Sequence, residues 1–168
     1  ADEPKAQTTF RMHIFTDPMS LSPLKVENAF NSYLHSNLFS GLMVMNPKSE
    51  TSVSLAPALA KSCVFRTSKL IECEIRSDLK WANGKAITRD DFIRPFRDAF
   101  AIDSAPQPKA DLSNLLNAKA ILAGKKKARE IGVLNHPTDK NKIIFHFEKP
   151  DADFLYRLAS PVFAPRPA

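Results

Sequence analysis

Two cysteines, Cys63 and Cys73, are the most reactive side chains of this 168-residue sequence and the first candidates for covalent or metal chemistry. The residue pattern predicts a hairpin around them, and a turn near Ser68 would place the two side chains opposite each other on neighbouring strands. A disulfide there would close a short loop and add roughly 2–3 kcal/mol of stability. The alternative is two reduced thiols in a cytosolic core, whereas a metal pair lacks a histidine at a suitable spacing. The cysteines alone leave both thiol states open.

The other ionisable side chains are not arranged for catalysis. Asp90 and Asp91 are adjacent, but they fall in the first turn of a predicted helix, where negative charge is favoured without any catalytic role. No GxSxG motif is present, and four glycines leave little material for a phosphate-binding loop. The histidines form neither an HExxH motif nor a close pair: His13, His35, His136 and His146. We therefore predict that the protein is not an enzyme and holds no metal ion and no cofactor.

Charge and hydropathy exclude further classes of protein. The net charge is +6 and the pI is about 9.4, which would suit nucleic acid, an anionic membrane or an acidic ligand. The densest basic run, at residues 125–129, contains no aromatic side chain for base stacking, so we predict no nucleic-acid partner. No stretch approaches 18 consecutive apolar residues, so we predict no direct membrane insertion. The polar start at residues 1–7 is compatible with a signal peptide that has been removed.

The spacing of apolar residues predicts mixed strands and helices, and thus an α+β (mixed α/β) fold. Alternating or short apolar runs predict strands at residues 10–15, 63–66, 70–76 and 142–147, and either a short strand or a continuation into loop at 42–45. Helical spacing predicts helices at residues 26–39, 88–100 and 112–123, a short helix from Asp151 or Asp153, and proline-rich coil at 160–168.

The first and third predicted helices have glycines placed to end them, Gly41 and Gly124. The first helix should bury one stripe of side chains: Val26, Phe30, Tyr33, Leu34, Asn37 and Leu38.

Residues 80–92, KWANGKAITRDDF, combine a strand end, a turn and a helix start. Trp81 ends the strand, and Asn83 with Gly84 supplies a tight turn with positive φ. Thr88 caps the following helix, and Asp91, three residues on, completes a capping box. We predict a structural role for these five residues, because the stretch contains no group arranged for catalysis.

In order and spacing, these residues resemble a hallmark of the family 5 solute-binding proteins of ABC transporters, which include oligopeptide-, dipeptide-, nickel- and haem-binding members. The family pattern is Leu-Arg-x-x-x-x-Trp-x-[Asp/Asn]-Gly-x-x-[Leu/Ile/Val]-Thr-x-x-Asp-[Phe/Val]. This chain has Ile75-Arg76, Trp81, Asn83-Gly84, Ile87-Thr88 and Asp91-Phe92 at the matching positions. Further segments are similar to family segments in the same order, at residues 20–23, 38–42, 59–63, 131–133 and 143–150.

The resemblance implies the N-terminal portion of a periplasmic-binding-protein type II-like fold, a mixed sheet with flanking helices. It implies a tail and opening strand at residues 1–25, a small extra α+β domain at 26–160 and a proline-rich exit segment at 161–168. Cys63 and Cys73 occupy positions where members carry a tryptophan and another aromatic residue on paired strands. The resemblance therefore favours a disulfide between them.

The function that the resemblance implies is the substrate-binding component of an ABC transporter, or a fragment of it, which captures oligopeptides or similar solutes for import. Its partner would be a membrane permease, its state a monomer and its location the periplasm. In peptide-binding members the loop after Ser/Thr-Leu-Asp-Pro reaches the ligand, which carries over onto Glu27, Asn28 and Ala29. Alternatively, Glu27 only occupies a helix first turn. A second possible function is that of a free-standing truncated module, which acts in protein interaction without ligand capture.

Overall fold

The computed structural model of the chain describes residues 17, 20–25, 29–49, 52–101 and 106–167. The predicted strand at residues 10–15 lies outside these residues. Glu27 and Asn28, two of the three predicted ligand contacts, also lie outside them.

Six strands form two sheets in this part of the chain, and all their pairings are antiparallel. The smaller sheet is a hairpin of β1 (Met43–Ser49) and β2 (Ser52–Pro57). The larger sheet has the strand order β3-β4-β6-β5, formed by β3 (Ala60–Thr67), β4 (Leu70–Ile75), β5 (Val133–Asn135) and β6 (Lys142–His146). Together with the helices, the sheets confirm the predicted fold class.

Helices flank these sheets. The α-helices within the described residues are α1 (Ala29–Leu38), α2 (Arg89–Ala101), α3 (Pro106–Asp111), α4 (Ala118–Leu122) and α5 (Phe154–Arg157). Short 3-10 helices lie at Pro23–Lys25, Ala128–Glu130 and Pro161–Phe163. Helix α2 contacts β5, β6 and the 3-10 helix at Pro161–Phe163.

The core lies between α2 and one face of the larger sheet. Alternate residues of β4 and β6 are buried there, including Ile71 and Ile143. Phe96 of α2 is fully buried and makes an edge contact with Phe145 of β6, at 5.2 Å between ring centroids. It also stacks on Phe163, at 5.1 Å and 12° between ring planes. Because large apolar side chains contribute about 1.5–3 kcal/mol each when buried, this aromatic group is a principal source of the stability of the fold.

The single helix predicted at residues 112–123 is wrong, because only α4 at its C-terminal end is helical. Leu112 and Leu115 are fully buried, but they lie in turns, and Leu115 forms a bridge with Phe147. Asn117 has a φ of 70°, a left-handed conformation that an α-helix does not accommodate. These apolar side chains are therefore buried by packing on the sheet, although they do not lie in a helix. Gly124, with a φ of 70°, follows the end of α4 as predicted.

The predicted buried stripe of α1 is also incorrect at three positions, Tyr33, Asn37 and Leu38, which are exposed. Tyr33 and Leu38 are 56% and 55% exposed, whereas His35 is fully buried. The ring of His35 packs edge-on against Phe39, and its Nε2 lies 3.3 Å from the carbonyl oxygen of Ser20. The buried face of α1 is therefore rotated toward His35 relative to the prediction.

Gly41 does not end a helix, because α1 ends three residues earlier and Gly41 does not have a positive φ. Its role is close approach: a Cβ at this position would collide with the carbonyl oxygen of Leu158. That carbonyl also accepts a hydrogen bond from the backbone N–H of Met43, at 3.2 Å. The glycine therefore lets the start of β1 pack directly against the end of α5.

Candidate functional site

The predicted ligand loop, Glu27 to Ala29, comes shortly after a firmly packed 3-10 helix in the sequence. Pro23 and Leu24 are buried, the latter completely. The N–H of Lys25 donates to the carbonyl of Ser22 at 3.0 Å, and the N–H of Ser22 donates to Oγ of Ser20 at 3.1 Å. The chain is therefore held in place immediately before the loop.

Helix α1 holds the other end of the loop. Ala29, the third predicted ligand residue, is the first residue of this helix. The contact between His35 and the Ser20 carbonyl joins α1 to the segment that precedes the loop. The 3-10 helix at Pro161–Phe163 contacts both α1 and the 3-10 helix at Pro23–Lys25. The described residues on both sides of the predicted loop are therefore packed, since α1 and the 3-10 helix at Pro23–Lys25 both contact the 3-10 helix at Pro161–Phe163.

The tip of the 80–92 motif is a three-residue hairpin loop rather than the predicted two-residue turn. A bridge between Lys80 and Ala86 leads into it, and the N–H of Trp81 donates to the carbonyl of Lys85 at 2.8 Å. The N–H of Gly84 donates to the carbonyl of Trp81, also at 2.8 Å. Gly84 has a φ of 82°, whereas Asn83 does not have the positive φ that the sequence led us to expect. This is the pattern of a hairpin in which a left-handed glycine follows a turn.

Thr88 and Asp91 meet at the start of α2, but not as a standard capping box. Oδ2 of Asp91 accepts from the N–H of Thr88 at 2.8 Å and from its Oγ1 hydroxyl at 2.9 Å. The threonine hydroxyl therefore donates to the carboxylate instead of accepting from the helix. The carbonyl of Asp91 accepts from the N–H of Arg166 at 3.0 Å. One residue thus joins the helix start to the exit segment.

Trp81 is half-buried and lies outside the central core. It lines a cleft of about 240 Å³ together with residues of α1, the motif and the exit segment, among them Leu38, Phe39 and Pro165. The structural role of Trp81 stays a prediction.

Cys63 and Cys73 form a disulfide across the β3–β4 pair. The sulfur atoms are 2.00 Å apart and the Cα atoms 4.1 Å apart, and the two residues are direct partners in the strand register. Cys73 is fully buried on the core face, whereas Cys63 is half-buried on the edge strand. The bond therefore fastens an edge strand to the centre of the larger sheet.

Reducing this disulfide is expected to lower the free energy of unfolding by about 2–3 kcal/mol, because the unfolded chain regains the freedom of a short closed loop. Urea unfolding with and without a phosphine reductant measures this difference. Titration of the denatured, unreduced protein with a thiol reagent should find no free thiol. Two free thiols, or identical unfolding curves, would contradict the assignment.

The comparisons with known proteins agree with this geometry. Residues 54–167 match the model of the bacterial extracellular solute-binding proteins, family 5 middle region. The chain belongs to this family. The Escherichia coli protein described as the probable deoxycholate-binding periplasmic protein YgiS is 30% identical to this family 5 chain over 164 residues, 96% of the chain and 30% of YgiS. The periplasmic murein peptide-binding protein MppA of Escherichia coli is 27% identical over 161 residues, 91% of the chain and 28% of MppA.

Solved structures show the same relationship. The murein tripeptide binding protein MppA of Escherichia coli has a TM-score of 0.80 and 27% identity, covering 92% of this chain and 30% of MppA. Haemophilus influenzae OppA in complex with RPPGFSPFR has a TM-score of 0.76 and 27% identity, covering 89% of this chain and 29% of OppA. These results confirm the predicted family and its type II binding-protein fold. The curated relatives are much longer than this family 5 chain. The chain spans only about 30% of the length of YgiS and of MppA.

These relatives are named as binding proteins rather than enzymes. Within the described residues of this family 5 chain, no group of three histidine, cysteine or acidic side chains is placed to hold a metal ion. A membrane-spanning helix is not found either, since none in the described ranges is both long and apolar enough.

A charged group of the family 5 chain lies on the solvent face of the larger sheet, centred on Glu72. The Glu72 carboxylate lies 2.7 Å from the Arg66 guanidinium, 3.1 Å from the Lys142 ammonium and 3.7 Å from the His136 ring. The pKa of Glu72 is lowered, chiefly by the hydrogen bond from Arg66. The hydrogen bond from Lys142 and the positive charges of Arg66 and Lys142 add to this effect, whereas partial burial opposes it. The group joins β3, β4 and β6 and has a structural role.

Glu72→Gln is expected to cost about 1 kcal/mol of stability near pH 7, because several partners lose a charged acceptor. The folded pKa lies below the unfolded value of about 4.3, so this contribution is present above about pH 4.3 and disappears as the pH falls through the folded pKa. Urea unfolding of both proteins at neutral and strongly acidic pH measures the loss. A difference between the proteins that persists unchanged in strong acid would contradict the assignment, and Asp153→Asn, at an exposed position without a side-chain cap bond, is the control.

Sequence reasoning missed two contacts that position the candidate site. The sequence did not indicate that His35 is buried, because it is one of four scattered histidines and lies beside the predicted apolar stripe. The contact between Arg166 and Asp91 joins residues 75 positions apart, and no local pattern reports it. The hallmark residues of the family, in contrast, are brought together as one strand–turn–helix unit, although the details of the turn and cap differ.

Proposed function

We propose that this chain is part of the substrate-binding component of an ABC transporter and that it contributes to the capture of a peptide. The observation that supports this most directly is its similarity to OppA of Haemophilus influenzae, which was crystallised with the peptide RPPGFSPFR. Binding would be non-covalent, with the ligand enclosed between lobes and held by hydrogen bonds to its backbone. This chain corresponds to about 30% of the length of its relatives, so other parts of such a protein would complete the enclosure of the ligand.

The residues that we propose to contact the ligand are Glu27, Asn28 and Ala29. Their support is the packing on both sides of the loop: the buried 3-10 helix at Pro23–Lys25 before it and α1 after it.

The proposed location is the periplasm, with a signal peptide removed, and the proposed partner is a membrane permease. MppA and the Escherichia coli OppA are named as periplasmic proteins. The Cys63–Cys73 disulfide adds support, because such bonds persist in oxidising compartments. We also propose that the protein is a monomer without a nucleic-acid partner.

The proposed organisation is a tail and opening strand at residues 1–25, a small α+β domain at 26–160 and an exit segment at 161–168. Its support is the core between α2 and the larger sheet, most of which falls within the second range, with Leu24 and Phe163 contributed by the flanking ranges. Phe163 of the exit segment packs on this core.

Isothermal titration of the 168-residue chain with a mixed peptide pool tests the proposed function. We expect saturable heat and a rise in the melting temperature, and Glu27→Ala should weaken both. Asp153→Asn, at an exposed position remote in sequence from the loop, should change neither. No heat and no thermal shift would count against peptide capture by this chain and favour the alternative, a module that acts in protein interaction.

A further inference from the structure

The hairpin tip of the 80–92 motif carries the one Asn-Gly pair of the sequence, Asn83-Gly84. Both residues are exposed, and no atom lies within 4 Å of the position that a Cβ on Gly84 would take. An asparagine side chain can be attacked by the backbone nitrogen of the residue that follows it. Attack is easiest when that residue is glycine, because no side chain obstructs the approach and the backbone has its widest conformational freedom. The tip therefore combines the required residue types with solvent access.

The hydrogen bonds of the tip act on this reaction in opposite directions. The N–H of Lys85 donates to Oδ1 of Asn83 at 3.1 Å, which holds the side-chain carbonyl and would stabilise negative charge as it develops on that oxygen. The N–H of Gly84, the attacking nitrogen, is occupied by the carbonyl of Trp81 at 2.8 Å. Reaction therefore requires this turn bond to open. Because the tip is exposed, local opening is much less costly than global unfolding.

We infer that Asn83 is a site of spontaneous deamidation in the folded protein. Solvent base removes the proton of the Gly84 nitrogen, which forms a bond to Cγ of Asn83. The bond between Cγ and Nδ2 then breaks, and the nitrogen leaves as ammonia. Water opens the resulting succinimide at either carbonyl, giving aspartate or isoaspartate at position 83. The step needs no oxidant and no reactant other than water.

Other asparagines in the described residues lack this combination. Asn46 precedes Pro47, whose nitrogen has no proton and already carries three carbon bonds. Nδ2 of Asn114 donates to the carbonyl of Lys149 at 2.9 Å, and Nδ2 of Asn117 donates to that of Glu130 at 2.7 Å. Both are followed by residues with side chains, as is Asn135, whose Nδ2 donates to Asp90 at 3.0 Å. Deamidation should therefore occur first at Asn83.

The two products have different structural consequences. Aspartate keeps an acceptor for the N–H of Lys85 and makes it charged, which strengthens the bond. Isoaspartate inserts an extra carbon into the main chain of a three-residue loop, so the bond between Gly84 and Trp81 cannot keep its geometry. Trp81 is the single tryptophan of the chain, and its fluorescence therefore reports directly on this loop.

The test is incubation of the folded 168-residue chain in mildly alkaline buffer, followed by peptide mapping and isoaspartate labelling. We expect the amide-to-acid mass change at Asn83 before any other asparagine, with a Trp81 fluorescence change that follows the isoaspartate fraction. A parallel sample in urea should react faster, because the Gly84–Trp81 bond is absent. Asn83→Asp has no ammonia to lose and should show no deamidation mass change, while isoaspartate forms in it only slowly by loss of water, and Asn83→Gln should react far more slowly than Asn83 itself. Conversion of another asparagine first, or an unreacted Asn83 in folded protein while the urea sample reacts, would overturn the inference.

Discussion

Phe96→Ala is expected to lower the free energy of unfolding by about 3–5 kcal/mol, the largest effect of any substitution considered for this chain. The side chain is fully buried and contacts two further aromatic rings, Phe145 on the sheet and Phe163 in the exit segment. Its removal would leave a cavity between rings that cannot easily collapse, because Phe145 and Phe163 belong to two different elements. The transfer free energy of the ring and the cavity term therefore add.

Urea unfolding followed by far-ultraviolet circular dichroism measures this loss. Phe65→Ala is the matched control, because Phe65 lies on the edge strand β3 and is 42% exposed. It should cost clearly less than Phe96→Ala, since much of the Phe65 side chain is already in contact with water and its removal leaves no enclosed cavity. Similar costs for both substitutions would show that the core is not centred on Phe96.

Gly132→Ala is expected to cost about 3 kcal/mol, at the upper end of the usual range for overpacking. A Cβ at Gly132 would lie 2.6 Å from the carbonyl oxygen of His146 and 2.9 Å from the nitrogen of Leu116. The same three residues are linked by backbone hydrogen bonds: Gly132 N–H donates to Leu116, Leu116 N–H to His146 and His146 N–H to Gly132. The added methyl group can therefore be accommodated only by stretching this ring of bonds.

Gly124→Ala separates steric crowding from backbone conformation. Gly124 has a φ of 70°, but a Cβ there would meet no atom within 4 Å. Only the left-handed conformation opposes this substitution, at a cost of about 1 kcal/mol. Urea unfolding of both variants should show the larger loss for Gly132→Ala, and the reverse order would contradict the proposed role of Gly132.

The β3–β4 hairpin could be predicted from sequence because one face of the sheet is buried. Burial of alternate residues in β4 imposes a two-residue period that is visible without the structure. Helix α2 was predictable for a similar reason, since Phe92, Phe96 and Phe100 recur at helical spacing. In both elements, local pattern and tertiary environment agree.

Elements fixed by distant contacts could not be predicted. Residues 112–117 have helical apolar spacing, but their turns pair with Phe147 and Gly132 across the fold. Strand β5 has only three residues, too few for a period to show. Strand β2 and most of β1 were missed because most of their side chains are exposed, so burial imposes little alternation on them.

The candidate site depended on family resemblance more than on chemistry. Glu27, Asn28 and Ala29 have no distinctive reactive arrangement, and only the similarity of the preceding Ser-Leu-Ser-Pro to a family segment pointed to them. The supports of these residues are the buried side chains of Leu24, which precedes them, and His35, which follows them. Those supports are tertiary features, so the structure was needed to find them.

The two hydrogen-bonding roles of Asp91 affect how force passes through the molecule. Its carboxylate closes the start of α2 while its carbonyl holds Arg166, so a pull on the chain beyond Pro165 is transferred to the helix axis. From there the load reaches the sheet through the stacked rings of Phe163, Phe96 and Phe145. The exit segment is therefore mechanically continuous with the core, because α2 holds both its main chain and the ring of Phe163.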